Sequence, residues 1–84
     1  MKHHASADFW VCYRSLPREV QKVADHAFEH LKQDPQYPAL HFKKVGRLWS
    51  ARVGANHRAV AVEGANDLVR FWIGTRADYD RLLG

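Results

Sequence analysis

The clearest regular pattern in the chain is a set of apolar residues, Val20, Val23, Ala24, Ala27, Phe28 and Leu31, spaced i, i+3, i+4, i+7, i+8 and i+11. Arg18, Lys22, Asp25, Glu29 and Lys32 fall between them, so the apolar side chains share one stripe of a helix and the charges lie off it. Pro17 suits the first helical position. The helix is expected to run to about Gln33, because Asp34-Pro35-Gln36-Tyr37-Pro38 forces the residue before each proline out of the helical region. Ahead of it, Phe9, Tyr13 and Leu16 recur at i, i+4 and i+7, and Ser6 followed by Asp8 has the composition of a helix N-cap. Residues 1–5 are expected to be ragged, with at most a short strand.

Beyond residue 40 the period shortens to that of strands. Candidates lie at 40–45, 48–53, 57–63 and 68–75, separated by Gly46-Arg47, Gly54-Ala55-Asn56 and Gly64-Ala65-Asn66-Asp67, turns short enough for an antiparallel meander. The middle turn sets the register. A two-residue loop would demand positive φ at Ala55, whereas a three-residue loop with Asn56 in the left-handed region costs less. The three-residue loop pairs Val53 with His57, Arg52 with Arg58, Ala51 with Ala59 and Trp49 with Ala61. One face then carries Trp49, Ala51, Val53, Ala59 and Ala61, suited to packing beneath helices. The other carries Leu48, Ser50, Arg52, Arg58, Val60 and Val62. The last strand is expected to add Val69, Phe71 and Ile73 to that second face and to bring Arg76 back beside Arg52 and Arg58. Residues 77–84 can form one or two helical turns, with Leu82 and Leu83 on the apolar floor and Tyr79 at the rim of the arginine cluster. The expected architecture is α+β: an N-terminal helical hairpin on a three- to four-stranded antiparallel sheet, with a short C-terminal helix, in one domain of residues 1–84.

Charge adds a direction to this frame. The net charge is +4, yet residues 1–39 balance five basic against five acidic side chains, while residues 40–84 carry eight basic and four acidic. Within residues 40–62, Lys43, Lys44, Arg47, Arg52 and Arg58 have no acidic neighbour at all. Like charges opposed across strands are unfavourable. Two explanations are open: an anionic partner such as a phosphate backbone, or a charged sheet edge that resists aggregation. Composition is that of an ordinary globular chain, with no run of about eighteen apolar residues for a membrane helix. The polar start MKHHASADF lacks a signal-peptide core, and a lone Cys12 makes no internal disulfide, so the cytoplasm is the expected compartment.

The chemistry available is uneven. Arginines grip phosphate with two bonds but are poor bases, and the side chains suited to proton transfer are His57, next to Arg58, and His41. The hairpin register turns His57 toward the helices unless the loop twists it outward. His26 and His30 are four apart on the long helix, but without a third ligand they read as a solvated flank, and no metal or other cofactor is expected. Trp10, Trp49, Phe71 and Trp72 fit core packing better than base stacking.

The phrases LHFKKVG, LWSARVGANHRAVAV and FWIGTRADYDRLL, following two helices and arranged in this order from about Phe9 to Leu83, resemble the RelE/ParE superfamily of type II toxin–antitoxin systems. The resemblance implies a toxin neutralised by a cognate antitoxin. RelE-type members are ribosome-dependent endoribonucleases that activate a ribose 2′-OH against the adjacent phosphate of mRNA. Carried over by position, Arg52 takes the place of a basic catalytic side chain and Arg58 of the phosphate-stabilising arginine, while Arg76 and Tyr79 resemble the C-terminal basic residue and the tyrosine after it. Lys43 and Lys44 fall in a segment of additional RNA-contacting charge, with Arg47 beside them to hold or steer the backbone. Ser50 stands where RelE has a second catalytic lysine. The alternatives are a ParE-like inhibitor of DNA gyrase without nuclease activity, and a non-toxic member that binds only nucleic acid or an antitoxin.

Overall fold

The computed structural model describes residues 2–83; Met1 and Gly84, the outer ends of the expected ragged segment and C-terminal tail, lie outside the described residues. In chain order the elements are β1 (Lys2–Ala5), α1 (Ala7–Arg14), α2 (Arg18–Gln33), β2 (Lys43–Val45), β3 (Leu48–Val53), β4 (His57–Glu63), β5 (Asp67–Thr75) and α3 (Arg76–Leu83). The strands form one five-stranded sheet in the order β1-β5-β4-β3-β2. Neighbours pair antiparallel except β1, which runs parallel to β5 with His3 opposite Leu68.

The sheet is therefore mixed and larger than the three or four antiparallel strands expected. Lys-His-His-Ala carries no strand signature, and a parallel partner more than sixty positions away leaves no turn to reveal it. Only alternation marks it: Lys2 and His4 are exposed while His3 and Ala5 turn inward.

Ser6 caps α1 as expected, its Oγ accepting from the Phe9 N–H at 3.2 Å. Pro17 is the cap of α2 rather than its first residue, and the helix ends at Gln33. Both helices cover the same face of the sheet, α1 against β5 and α2 against β3. Gln21 Nε2 ties them by donating to the carbonyls of Tyr13 and Leu16, at 3.0 and 3.3 Å. Phe9, Ala24, Val53 and Ile73 form one buried cluster, and Leu31, Leu40, Ala61 and Leu68 a second. The stripe on α2 is wider than its cover, since Val23 remains 44% exposed. Trp10, expected in the core, is 39% exposed on the outer side of α1.

The expected hairpin register is observed, with Val53 opposite His57, Arg52 opposite Arg58 and Trp49 opposite Ala61. Its turn departs in one respect: Gly54, not Asn56, takes the positive φ, at +64°. Glycine bears that conformation without the Cβ penalty that Asn56 would incur.

Two irregularities reshape the remaining strands. Residues 40–42 leave the sheet: Pro38–Leu40 is a single 3₁₀ turn, and His41 follows in the left-handed region with φ 43° and ψ 44°. Leu40 is thereby driven into the core, where it is 2% exposed. On β5 the register slips opposite Val60 and Ala61, which face Trp72 and Arg70, so Phe71 has no partner. An unpaired residue of this kind inverts the alternation beyond it. Ile73, expected on the far face, is consequently buried under the helices with Val53 and Ala59. Trp72 and Gly74 take the far face together, and a Cβ at Gly74 would stand 2.7 Å from the Trp72 ring.

The second face is covered at one end by α3, which packs on β4 and β5. Val60 is fully buried there, whereas Leu82 is 48% exposed, so the tail covers the arginine end of the floor and leaves Val62 at its other end uncovered.

Candidate functional site

The cross-strand pair of Arg52 and Arg58 lies two residues along its strands from Ser50 and Val60, on the same sheet face as they are, with Arg52 at the sheet edge. Arg76 reaches the same end of the sheet because β5 passes directly into α3, with the Arg76 N–H donating to the Asn56 carbonyl at 2.8 Å. Thr75 accepts from the Asp78 N–H at 3.1 Å and so closes the first turn of α3. Within that helix Arg76, Tyr79 and Asp80 are spaced i, i+3 and i+4 and share one face.

A cavity of about 240 Å³ lies between these elements. Its walls are Arg52, Arg58, Arg76 and Lys43 on the cationic side, with His41, Ser50, Tyr79 and Asp80 completing them. Four basic side chains thus share the cavity with one carboxylate. None of the three ion pairs among the described residues involves these cations; they join His4 to Asp67, Lys32 to Glu29 and Arg81 to Asp78. The Arg58 guanidinium is held below its usual pKa range, first by burial and then by the positive charges of Arg76 and Arg52, with Tyr79 and Asp80 opposing the shift. Burial and like-charged neighbours thus both disfavour the charged form of Arg58.

Arg52 and Arg58 are each oriented by a backbone carbonyl. Arg52 Nε donates to Gly54 O at 3.2 Å and Arg58 Nη1 to His57 O at 2.8 Å. A guanidinium has five N–H donors, so both retain donors for a ligand. Tyr79 is fixed differently: its hydroxyl donates at 2.9 Å to the Oγ of Ser50, which is 3% exposed. That bond crosses from α3 to β3 and pins the tyrosine ring over the cavity.

The residues singled out from the sequence do not all meet here. Arg52, Arg58, Arg76, Tyr79 and Lys43 line the cavity. His57 does not: alternation from Arg58 turns it to the helix side, into a groove with Glu19, Val20 and Val23. Lys44 alternates away from Lys43, opposite Trp49, and Arg47 sits exposed in the turn between β2 and β3. Neither lines the cavity. His41 takes the place expected of His57, because the left-handed backbone that buries Leu40 leaves the next side chain on the cavity. Asp80 was not anticipated, although its spacing of four from Arg76 is a helical signal that puts it on the same wall. Among the described residues no group of three or more His, Cys, Asp or Glu side chains is arranged to hold a metal ion. No described helix is long and apolar enough to cross a membrane.

No family model and no curated protein sequence matches the chain. Solved structures do. RelE in the RelB–RelE antitoxin–toxin complex of Methanococcus jannaschii superimposes with a TM-score of 0.74 over 96% of this chain and 99% of that one, at 14% identity. The chain has the RelE/ParE toxin fold. A YoeB/ParE toxin from Agrobacterium tumefaciens matches with a TM-score of 0.69 at 18% identity, covering 90% of this chain and 99% of that one. YafQ from E. coli strain BL21(DE3) matches with a TM-score of 0.70 at 14% identity, covering 93% and 96%. At such identities the likeness lies in backbone arrangement, and what the cavity does has to be argued from its own side chains.

Proposed function

We infer that the chain is the toxin of a type II toxin–antitoxin pair and acts as a RelE-like endoribonuclease on ribosome-bound mRNA. The observation that carries this reading is the convergence of Arg52, Arg58 and Arg76 on one cavity that also holds a tyrosine hydroxyl and a histidine. In the reaction the ribose 2′-oxygen attacks the adjacent phosphorus and the bond from phosphorus to the 5′-oxygen breaks, giving a 2′,3′-cyclic phosphate and a free 5′-hydroxyl. Negative charge gathers on the non-bridging oxygens of the pentacoordinate phosphate. Preoriented guanidinium donors in a partly enclosed cavity stabilise that charge more than they stabilise the ground state.

Arg58 and Arg76 flank the position for those oxygens, and Lys43 and Arg52 extend the positive surface toward the β2 side. The 2′-OH proton passes to a base, for which His41 is the imidazole that lines the cavity, and the departing 5′-oxygen takes its proton from water. Ser50, where the resemblance puts a lysine, acts by positioning Tyr79 through the hydroxyl–hydroxyl bond. An antitoxin is the natural second partner. The unpaired positive charge, with the exposed Leu82 on α3 and Val62 at the far end of the same sheet face, is suited to an acidic, amphipathic segment.

Replacing Arg52, Arg58 and Arg76 together by alanine tests the reading. Expression of the wild type is expected to arrest growth and to leave primer-extension stops on mRNA, and the triple variant, folded by circular dichroism, to do neither. Unchanged toxicity of the triple variant overturns the nuclease assignment. Inhibition of gyrase supercoiling by purified wild type, with no mRNA cut, places the chain in the ParE-like class instead. Co-purification with the product of the adjacent gene at low salt tests the antitoxin.

A further inference from the structure

A second recess lies on the other side of the open end of β3. β2 pairs only as far as Ser50, so beyond that residue β3 has no outer strand, only the turn at Pro38–Leu40 nearby, and Arg52 stands at an edge. On one side of Arg52 is the arginine cavity; on the other is an open groove of about 210 Å³ between α2 and the turn at Pro38–Leu40. Arg52 lines both.

The groove has the furniture of a stacking site. Its wall includes His30 and Tyr37, whose rings lie parallel with centroids 4.2 Å apart and planes 4° from each other. Tyr37 is 38% exposed although it is a large aromatic residue on a short loop held by its N–H to Asp34 O, at 3.0 Å. His26, one turn earlier on α2, and the Arg52 guanidinium supply polar groups around the rim, and no carboxylate lines the groove. A partly exposed tyrosine ring backed on one face by a parallel imidazole, a planar cation that also reaches the arginine cavity, and freedom from negative charge match a nucleobase better than an acidic or purely aliphatic segment.

We propose that this groove is a base subsite: it takes the nucleobase of the nucleotide next to the phosphate held in the arginine cavity, stacked on Tyr37 and edged by Arg52 and His26. The proposal rests on the reading of the cavity as a phosphate site and adds to it a source of positioning for the RNA strand. Because every base offers a π-face, stacking gives affinity with little sequence preference, and any preference comes from hydrogen bonds of His26 and Arg52 to the base edge.

Fluorescence anisotropy with two probes of equal charge separates the two layers: a 2′-O-methyl RNA hexanucleotide, which cannot be cleaved, and an abasic backbone of the same length. Wild type is expected to bind the hexanucleotide at least about fivefold more tightly than the abasic strand, the gain typical of one stacked base. Tyr37→Leu, which keeps side-chain bulk without the ring, is expected to lose that advantage while binding the abasic strand as before, and Tyr37→Phe to retain it. Arg58→Ala is expected to weaken both probes alike. If wild type binds both probes equally while Arg58→Ala weakens both, the phosphate site stands and the base subsite is wrong. If wild type binds neither at low salt, the phosphate reading fails and the subsite with it. Should Tyr37→Leu leave RNA binding untouched but weaken antitoxin co-purification, the groove is a protein contact and the proposal is overturned.

Discussion

The opposition of Arg52 and Arg58 gives the sharpest quantitative test, because it asks whether this site is built against the stability of its own fold. Residues directly opposite on antiparallel strands have Cβ atoms about 5 Å apart. With guanidinium groups that diverge toward separate carbonyls, a charge separation of roughly 7 Å follows, and Coulomb's law then gives a repulsion of about 0.6 kcal/mol at the dielectric of water and about 2.4 kcal/mol at an effective value of 20. Screening decides how much survives: the Debye length is about 30 Å at 0.01 M salt but about 3 Å at 1 M, so the repulsion is nearly intact in the first case and about tenfold weaker in the second. A double-mutant cycle with Arg52→Met and Arg58→Met, read by urea unfolding, cancels the loss of each arginine's own hydrogen bond and isolates the pair. The expected coupling is about 1 kcal/mol, unfavourable, at low salt and close to zero at 1 M. For a domain of this size that corresponds to roughly 4–8 °C in Tm. A coupling near zero at low salt, or one that persists unchanged at 1 M, refutes the picture of two confined like charges. Inorganic phosphate added to wild type at low salt is expected to recover part of the same free energy, since an anion bound between the guanidinium groups removes the repulsion.

Other outcomes follow from single features. Tyr79→Phe is expected to cost about 1–2 kcal/mol in urea unfolding by leaving the buried Ser50 hydroxyl without its donor, and adding Ser50→Ala to recover most of the loss, because removing both partners of a buried hydrogen bond is far milder than removing one. If Tyr79→Phe is silent in both stability and cleavage, the bond has no positioning role. Leu40→Ala is expected to cost about 2–5 kcal/mol as a core truncation and also to lower mRNA cleavage, since the same turn carries His41 onto the cavity; a stable variant with full activity contradicts that coupling. His3 is held below its ordinary value of 6.5, first by burial and then by Arg70, and its Nδ1 is buried without a partner beside Phe28. The unfolded chain therefore binds this proton more readily than the fold does, so stability is expected to fall as pH drops through about 6.5 and to level off once folded His3 also protonates. His3→Asn is expected to flatten that dependence in urea midpoints measured between pH 8 and pH 5; an unaltered profile assigns the acid sensitivity elsewhere.

Much of this protein was determined locally. Helix α2 follows from its own periodicity, the cap at Ser6 from one hydroxyl, and the β3–β4 register from a three-residue turn, so the meeting of Arg52 with Arg58 was legible from the residues between them. Even the exclusion of His57 from the site was implicit in strand alternation, which flips each successive side chain to the opposite face. The return of Arg76 and Tyr79 needed only the shortness of the last turn and the helical spacing of the tail. What tertiary structure decided is what depends on partners distant in the chain. β1 becomes a strand because β5 offers it an edge, and nothing in Lys-His-His-Ala announces that. Phe71 drops out of register where β5 slips against β4, and the slip, which puts Ile73 in the core and Trp72 beside Gly74, belongs to the pair of strands and not to either one. His41 enters the cavity because Leu40 is pulled the other way into a core formed by Leu31, Ala61 and Leu68. The arginines were visible as uncompensated charge, strand alternation put Ser50 on their face and helical spacing puts Asp80 on the wall of Arg76; the histidine that completes their cavity was placed by packing, whose free energy is shared among residues far apart in sequence.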